Sequence, residues 1–368
     1  MIEQIKEKLK NVIYPGFEKD IVSFGFVKDI KVEDKNAFIN IEIVSASKEI
    51  AKQIEQDVKN NLQDLALNLN INIIQPNAPE EKSNSRSGKN IAPQIKNFVM
   101  ISSGKGGVGK STTTLNLAIS MAKMGKRVGI LDADIYGPNI PRMLGETKSK
   151  PEIIGDKLKP ILSHGVYMMS MGVLIEEGQG LMWRGAMIMK AVEQLLADVL
   201  WGELDVLFLD MPPGTGDAQI TLAQSVPVTA GVCVSTPQIV SIDDSKRALD
   251  MFNKLHIPIA GIIENMSGFL CPDNGKEYDI FGKGTTKEMA KNYNCDILAN
   301  IPIEIDVREG GDNGKPVSFY NPESISSKRY LEASEKIWEF IQNINKNGGA
   351  DNSAIQPIMN GKSACSSH

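Results

Sequence analysis

An apolar segment that runs directly into a glycine-rich loop constrains the fold of this chain more than any other feature. FVMIS is followed by SGKGGVGKSTTT, in which residues 104–111 fit the pattern G-x-x-x-x-G-K-[ST] between a predicted strand and a predicted helix. Glycines let successive backbone N–H groups turn toward phosphate oxygens, and the helix directs its positive end at the same anion. The sequence therefore predicts a nucleotide-binding loop rather than an ordinary strand-to-helix turn.

Two lysines lie in this loop, and the loop chemistry needs only one of them. Lys110 is expected to reach the β and γ phosphates, and the Ser111 hydroxyl to complete the coordination of a Mg ion. Taken by itself, Lys105 could equally be a solvated surface lysine. The predicted nucleotide-binding residues of the loop are Gly104, Lys105, Gly106, Gly107, Val108, Gly109, Lys110, Ser111 and Thr112.

Aspartates close the predicted strands that neighbour this loop. Asp210 ends DVLFLD and precedes MPPGTGD, while Asp132 and Asp134 end the segment RVGILDAD. In open parallel sheets, ligands bind beyond the carboxyl ends of the strands. The three acids are therefore expected to lie near the bound nucleotide and its Mg ion.

The pattern of the chain predicts two folded domains. Residues 1–76 show helix, two strands, helix and strand, a small α+β domain, and a Pro, Ser and Asn-rich linker follows over 77–95. Residues 96–345 alternate apolar strands with helical segments, which predicts a mostly parallel, doubly wound α/β sheet with helices on both faces. A disordered tail is expected over 346–368. The six predicted strands are FVMIS, RVGILD, DVLFLD, AGVCVS, IAGIIEN and DILANIP.

Composition narrows the choice of partners and compartment. A net charge of -5 offers no basic field for nucleic acid. No apolar run approaches the roughly 18 residues that span a bilayer. From the charge and from this pattern, neither nucleic acid nor a membrane is an expected partner. Widely separated cysteines and the absence of a signal-like start favour the cytoplasm with reduced thiols.

Several motifs together resemble one family. The loop GKGGVGKST, with its additional lysine, and the segments LDADIYGPN, DMPPGTGD and IENMS look like the SIMIBI class of P-loop ATPases. Within that class they resemble the Mrp/ApbC family, held to be ATP-dependent iron–sulfur cluster carriers. The segment YPGFEKDIVSFGFVKDI is similar to the small domain of many iron–sulfur assembly proteins. The resemblance implies a homodimeric Mg-ATPase that takes clusters from a scaffold to recipient apoproteins.

The resemblance also assigns roles to individual residues. It implies that Lys105 reaches across a dimer interface to phosphates held by the other subunit, and that Asp134 orients the attacking water. Asp132 and Asp210 match acids near Mg. The remaining two matches are Gly214 as the switch that senses the γ-phosphate and Asn265 as the reader of the adenine edge, with an ordinary turn residue as the alternative for Asn265.

The cysteines depart from the family pattern. Members that carry a cluster usually show C-x-x-C after ENMS, which gives four thiolates at a dimer interface and suits a 4Fe–4S cluster. Here Cys271 is in place, but Asn274 occupies the second position. Two Cys271 residues could still ligate with help from other thiols, Cys365 could contribute from the tail, or the protein could hold no cluster of its own. Cys233 and Cys295 are expected to be packing residues.

Other function classes stay open at this point. A positioning or partition ATPase of the MinD or ParA type shares the loop with two lysines but acts through membrane or DNA. MinD-like proteins end in a basic amphipathic helix, and the sequence GGADNSAIQPIMNGKSACSSH does not resemble one. A small-molecule kinase is a third possibility that the sequence neither supports nor excludes.

Overall fold

The computed structural model describes residues 2–13, 15, 20–23, 25–33, 36–43, 48–65, 67–74, 89–174 and 185–355. Of these, the residues up to 74 together with 153–159 form one compact unit, and the other residues from 89 onward form a second, larger unit. Cys365 and residues 77–88 of the predicted linker lie outside the described residues.

The smaller unit contains a three-stranded sheet and two helices. Strands β1 and β2 are antiparallel, and β3 runs parallel to β2 in the order β1-β2-β3. Ile39 and Ile41 alternate with exposed or half-exposed residues along β2 and are fully buried, as expected for a sheet covered on one face. The elements are α1 (Ile2–Leu9), β1 (Val27–Glu33), β2 (Asn36–Glu42), α2 (Lys48–Leu62) and β3 (Asn68–Ile74).

In the larger unit, a mostly parallel sheet carries the nucleotide-binding loop. Its described strands follow the order β13-β12-β11-β4-β10-β5-β9-β8, with β14 on β12; the β8/β9 and β12/β13 pairs are antiparallel. The strands are β4 (Phe98–Ser102), β5 (Val128–Asp132), β8 (Ile161–Ser163), β9 (Val166–Ser170), β10 (Val206–Asp210), β11 (Val228–Ser235), β12 (Ile259–Leu270), β13 (Glu277–Tyr278) and β14 (Asp296–Ile303). A separate hairpin, which belongs to the smaller unit, consists of β6 (Ile153–Ile154) and β7 (Lys157–Leu158).

Helices cover both faces of this sheet, which explains why the central strands β4, β5, β10 and β11 are buried at every position. The helices are α3 (Lys110–Lys123), α4 (Ile140–Met143), α5 (Gly185–Ala197), α6 (Asp217–Ser225), α7 (Ile239–Lys254), α8 (Thr286–Asn292), α9 (Ile305–Asp312), α10 (Val317–Tyr320) and α11 (Ile325–Lys346). The predicted fold class is confirmed, and the six predicted strands correspond to β4, β5, β10, β11, β12 and β14.

The structure departs from the sequence prediction at both ends of the larger unit. Ala92 and Ile95, in the predicted linker, are buried in its core because they are apolar and adjoin β4. Asn352, in the predicted tail, is buried and its Nδ2 donates to the carbonyl oxygens of Lys89 and Ala223. Residues 89–95 and 347–355 therefore belong to the packed structure. No helix of the described residues has the length and apolar character needed to cross a membrane.

Candidate functional site

The glycine-rich loop joins the end of β4 to the start of α3, as the sequence predicts. Gly109 caps the helix with φ of 83°, a conformation that L residues with a side chain rarely adopt. Gly104 lies against the backbone of α7, where a Cβ atom would come 2.0 Å from the carbonyl carbon of Asp244. Gly104 is thus required by packing, whereas a Cβ at Gly106 would meet nothing closer than 4.0 Å.

Gly104→Ala and Gly106→Ala form a matched pair of variants. Because displacing the helix backbone costs energy, Gly104→Ala should lower the free energy of unfolding by about 1–3 kcal/mol or more. Gly106→Ala should leave it nearly unchanged. Thermal and urea unfolding of the nucleotide-free protein measures both. Equal stability of the two variants would mean that the approach of α7 does not constrain the loop.

A buried polar network connects the first turn of α3 to the end of β10. The Lys110 ammonium lies 2.7 Å from Asp210 Oδ1, and both side chains are buried. Two hydroxyls donate to the same carboxylate: Ser111 Oγ at 2.6 Å and Thr114 Oγ1 at 2.7 Å. The predicted Lys110, Ser111 and Asp210 therefore meet in space. A charged lysine and two donors satisfy the buried carboxylate, which would otherwise be costly to desolvate.

Asp132 lies at the end of the adjacent strand β5 and is equally buried. Its Oδ2 accepts from Ser170 Oγ at 3.0 Å, and its Oδ1 accepts from the backbone N–H of Asp134 at 3.2 Å. Burial first, and then the neighbouring charge of Asp210, raises the pKa of Asp132 to about 8, although Lys110 acts in the opposite direction. Burial beside a second carboxylate therefore favours the protonated form of Asp132.

Asp134 and Gly214 lie on the two loops that follow β5 and β10. The Asp134 side chain is half-buried, and its Oδ1 accepts from the backbone N–H of Gly137 at 3.2 Å. Burial raises the pKa of Asp134 above its ordinary value. Gly214 has φ of 90° and its N–H donates to the Ser103 carbonyl at 2.9 Å, while Gln219 Nε2 donates to the Gly214 carbonyl. The segment around Gly214 is therefore attached to both the phosphate-binding loop and α6.

The loop opens into a cavity of about 520 Å³. Half-buried Lys105 lies at this cavity, and no described carboxylate forms an ion pair with it. Phe281, Pro302 and Ile303 form an apolar part of its wall, suited to a flat aromatic ring. The predicted site residues that line the cavity are Lys105, Gly106, Gly107, Gly109, Lys110, Ser111, Thr112, Asp134 and Asn265.

Asn265 lies in β12 and contacts the loop directly. Its Nδ2 donates to the Val108 carbonyl at 2.8 Å, and a Cβ at Gly109 would come within 2.1 Å of the same nitrogen. The next residue, Met266, has φ of 57°, and the pairing of β12 with β14 is interrupted between Asn265 and Phe269. A non-glycine residue in this conformation stores local strain, which is typical of functional sites.

Glu264, beside Asn265, is a fully buried carboxylate that braces the start of α8. It accepts from Ser267 Oγ, from the N–H of Gly284, and from the N–H and Oγ1 of Thr286, at 2.6–3.0 Å. Burial by itself would raise the pKa of Glu264, but these hydrogen bonds together hold it below its ordinary value. The charged form therefore stabilises the segment between β12 and α8.

Cys271 follows β12, six positions after Asn265, at the start of the turn to β13. It is half-buried, its N–H donates to the Lys276 carbonyl at 2.9 Å, and its carbonyl accepts from the N–H of Gly275 at 2.9 Å. Asn274 Oδ1 accepts from the N–H of Lys276, so this residue closes the turn that contains Cys271. Neither Cys271 nor Gly214 lines the 520 Å³ cavity.

Three residues that support the site were not predicted from the sequence. Thr114 could have been found, because it lies four residues after Lys110 and hence on the same helix face. Ser170 and Glu264 could not, because their partners are 38 and 20–22 residues away and depend on the order of the strands. Conversely, Cys233 is buried as expected, and burial raises its pKa to about 12.

Comparison with known proteins gives consistent matches along most of the chain. A family model described as NUBPL iron-transfer P-loop NTPase matches residues 94–338, and one described as iron-sulfur cluster assembly protein matches residues 2–73. An iron-sulfur cluster carrier protein of Helicobacter pylori is 50% identical over 361 residues, 97% of this chain and 97% of that protein. The iron-sulfur cluster transfer protein NUBPL of Mus musculus is 42% identical over 246 residues, 66% of this chain and 77% of that protein.

A solved structure resembles the larger unit. The nucleotide-binding protein of Archaeoglobus fulgidus in complex with ADP has a TM-score of 0.54 and 39% sequence identity, covering 60% of this chain and 88% of that chain. The parallel sheet, the phosphate-binding loop and the buried Lys110–Asp210 pair define a P-loop NTPase. Within that class, the chain belongs to the NUBPL iron-transfer P-loop NTPase family, with an iron–sulfur cluster assembly domain before it.

Proposed function

We propose that this protein is a homodimeric Mg-ATPase of the cytoplasm that binds iron–sulfur clusters, receives them from a scaffold and transfers them to recipient apoproteins. The observation that carries the proposal is the course of β12. This one strand holds Asn265 against the phosphate-binding loop and ends directly before Cys271. A change at the nucleotide therefore has a short covalent path to the thiol.

The loop and the ends of β4, β5 and β10 suit a nucleoside triphosphate with Mg. Backbone N–H groups of the loop and the Lys110 ammonium would hold the phosphates once Lys110 leaves Asp210. The Ser111 hydroxyl and the carboxylates of Asp210 and Asp132 would hold Mg, because hydroxyl and carboxylate oxygens are the ligands this ion prefers. Bound Mg would neutralise charge on the phosphates. The apolar wall at Phe281 and Ile303 would contact the base, with Asn265 near its polar edge.

Hydrolysis needs a residue that orients water and a sensor of the γ-phosphate. Asp134 is the residue proposed for the first role, because it lines the cavity and its raised pKa brings it closer to neutral pH. Gly214 is proposed as the sensor of the γ-phosphate. Its N–H donates to the Ser103 carbonyl beside the loop, and its own carbonyl accepts from Gln219 of α6. Lys105 would supply a cation to the site of the partner subunit.

Exposed apolar side chains on two connected segments support the proposed dimer. Ile239 and Val240, in the first turn of α7, are 74% and 67% exposed, and Ile280, after β13, is 57% exposed. Thr285 Oγ1 donates to the Pro237 carbonyl, which connects these two segments. A second copy would remove such a surface from water. Two Cys271 thiolates could then ligate one cluster, with further ligands from thiols outside the described residues or from another protein.

The cluster role is tested by anaerobic reconstitution with iron and sulfide, followed by iron counting and visible absorption. The native protein should gain iron and a visible spectrum, and Cys271→Ala should lose most of both, because it removes the proposed ligand from each subunit. Cys295→Ala is the matched control: this thiol is also half-buried, but burial raises its pKa to about 11. Cys365→Ala tests the additional ligand. An unchanged spectrum in Cys271→Ala would rule out that thiol as a ligand.

A further inference from the structure

The two edges of the smaller sheet differ in charge. The edge strand β1 has the sequence VKDIKVE, which carries two lysines and two acids, whereas the opposite edge strand β3 has the sequence NLNINII, without charge or proline. Natural proteins block free edges with charged residues, proline or a covering element. Among the described residues, β3 pairs only with β2. Within the described part of the chain, this edge therefore lacks the usual protection against strand pairing.

The backbone of β3 presents a regular set of donors and acceptors at this edge. The N–H of Ile43 donates to the Ile74 carbonyl at 3.0 Å, so the polar backbone groups of Ile74 face β2. Because these groups alternate in direction along a strand, those of Leu69, Ile71 and Ile73 face away from β2. Three N–H groups and three carbonyls thus point toward the open edge.

The side chains of β3 are sorted by face. Asn68 and Asn72 donate to Asn36 and Asn40 of β2, at 3.1 and 3.0 Å, on the outer face. Leu69, Ile71 and Ile73 lie on the other face and are half-buried. A cavity of about 600 Å³ adjoins this edge and has three charged wall residues. Glu55 and Lys59 of α2 pair with each other at 2.5 Å, and Lys31 of β1 pairs with Asp29 at 3.4 Å. The described surroundings of the edge are therefore apolar, uncharged polar or paired with an opposite charge.

We propose that β3 pairs antiparallel with β3 of a second copy of this chain, about a two-fold axis at Ile71, so that two small sheets become one. In this register, Leu69 lies opposite Ile73 of the partner subunit and Asn70 opposite Asn72 of the partner subunit. Apolar side chains meet apolar ones, amides meet amides, and no charge opposes a like charge. All three outward-facing residues form hydrogen-bonded pairs only in this centred register.

A second copy is a better partner than an unrelated peptide, because the sequence of β3 is complementary to itself in an antiparallel alignment. A shift by one residue would place isoleucines opposite asparagines. The outward-facing N–H and carbonyl groups would then no longer lie opposite one another. The proposed homodimer of the larger unit would hold two copies together and raise their effective concentration. The pairing inferred here concerns the smaller unit and does not depend on ATP hydrolysis or on a cluster.

Disulfide trapping in the full chain tests this pairing. A centred antiparallel pair places the two Ile71 Cα atoms about 5.5 Å apart, within the roughly 4.4–6.8 Å that a disulfide spans. Mild oxidation of Ile71→Cys should therefore give covalent dimers linked at position 71, identified by peptide mass spectrometry. Ile73→Cys is the matched control on the same face, because the two positions 73 would lie about 14 Å apart. The native chain, oxidised alongside, gives the background from its own cysteines.

A second pair of variants avoids any change in the core. Asn70 and Asn72 are exposed, so Asn70→Cys and Asn72→Cys should fold normally, and their mixture should form a mixed disulfide more readily than either variant alone. Absence of linkage at position 71 together with absence of the mixed disulfide overturns the inference, as does equal linkage at positions 71 and 73. A chain that sediments as a dimer without these disulfides contradicts the strand pairing while leaving the proposed homodimer of the larger unit standing.

Discussion

Lys110→Ala is expected to lower ATP turnover by at least about 10²-fold, because it removes the cation that would hold the transferring phosphate. The same substitution should destabilise the nucleotide-free protein. The Lys110 ammonium lies 2.7 Å from a fully buried carboxylate, that of Asp210. Removing one partner of a buried ion pair costs about 3–5 kcal/mol, because the other charge stays buried without compensation. Phosphate release measures the turnover, and urea unfolding measures the stability.

The loss of stability should depend on pH. The pKa of Asp132 is raised from 3.8 to about 8, with Lys110 acting to lower it. A carboxyl whose pKa is raised on folding favours the protonated form, so its folded state loses stability as pH rises between these two values. Without Lys110 this disadvantage grows, and the variant should lose more stability at about pH 8 than at about pH 5.

The double variant Lys110→Ala with Asp210→Asn separates the effect on stability from the effect on ATP turnover. Replacing the Asp210 carboxylate by an amide removes the uncompensated charge, so much of the lost unfolding free energy should return. ATP turnover should not return, because the cation is still absent. Full stability of the single variant, or recovery of turnover in the double variant, would contradict the assigned role of Lys110.

The nucleotide loop could be predicted from sequence because its chemistry is local. Residues 104–111 follow one another, and their spacing alone specifies the turn, the helix start and the phosphate contacts. Asp132 and Asp210 could be predicted to lie near one another because both end neighbouring strands of a parallel sheet, β5 and β10. The six strands could also be predicted from the sequence, since short continuous apolar runs have few alternatives to a buried strand.

Contacts that depend on the order of strands and on packing could not be predicted from the sequence. The parallel pairing of β9 with β5 places Ser170 beside Asp132, although nothing near Ser170 in the sequence indicates a carboxylate partner. The strain at Met266 and the buried carboxylate of Glu264 likewise result from the path of β12 across the sheet. The ends of the linker and tail differ from the prediction made from composition. Buried Ala350 and Asn352, and a hydrogen bond from Gln224 to the Ile355 carbonyl, fix a segment whose composition is typical of disorder.

Lys105→Ala is expected to lower hydrolysis by about 10³–10⁵-fold, the range for a cation supplied to the transferring phosphoryl group by another subunit. ATP binding should be largely preserved, because Lys110, Ser111 and the loop backbone are unchanged. Lys105 lines the cavity, and its backbone carbonyl is fixed by a hydrogen bond from Ser103 Oγ at 3.0 Å. The backbone of Lys105 is thus held in place, and its side chain lies at the cavity, where it could reach a neighbouring subunit.

Mixing two inactive variants decides whether Lys105 acts within its own subunit or on its partner. Lys105→Ala keeps Asp134, and Asp134→Asn keeps Lys105, so a mixed dimer contains one site with both groups if the lysine acts across the interface. Mixing should then restore hydrolysis to about a quarter of the native rate for a 1:1 statistical mixture, since about half of the dimers are mixed and each has one complete site. If Lys105 acts in its own subunit, no dimer contains a complete site, and the mixture stays as inactive as its components.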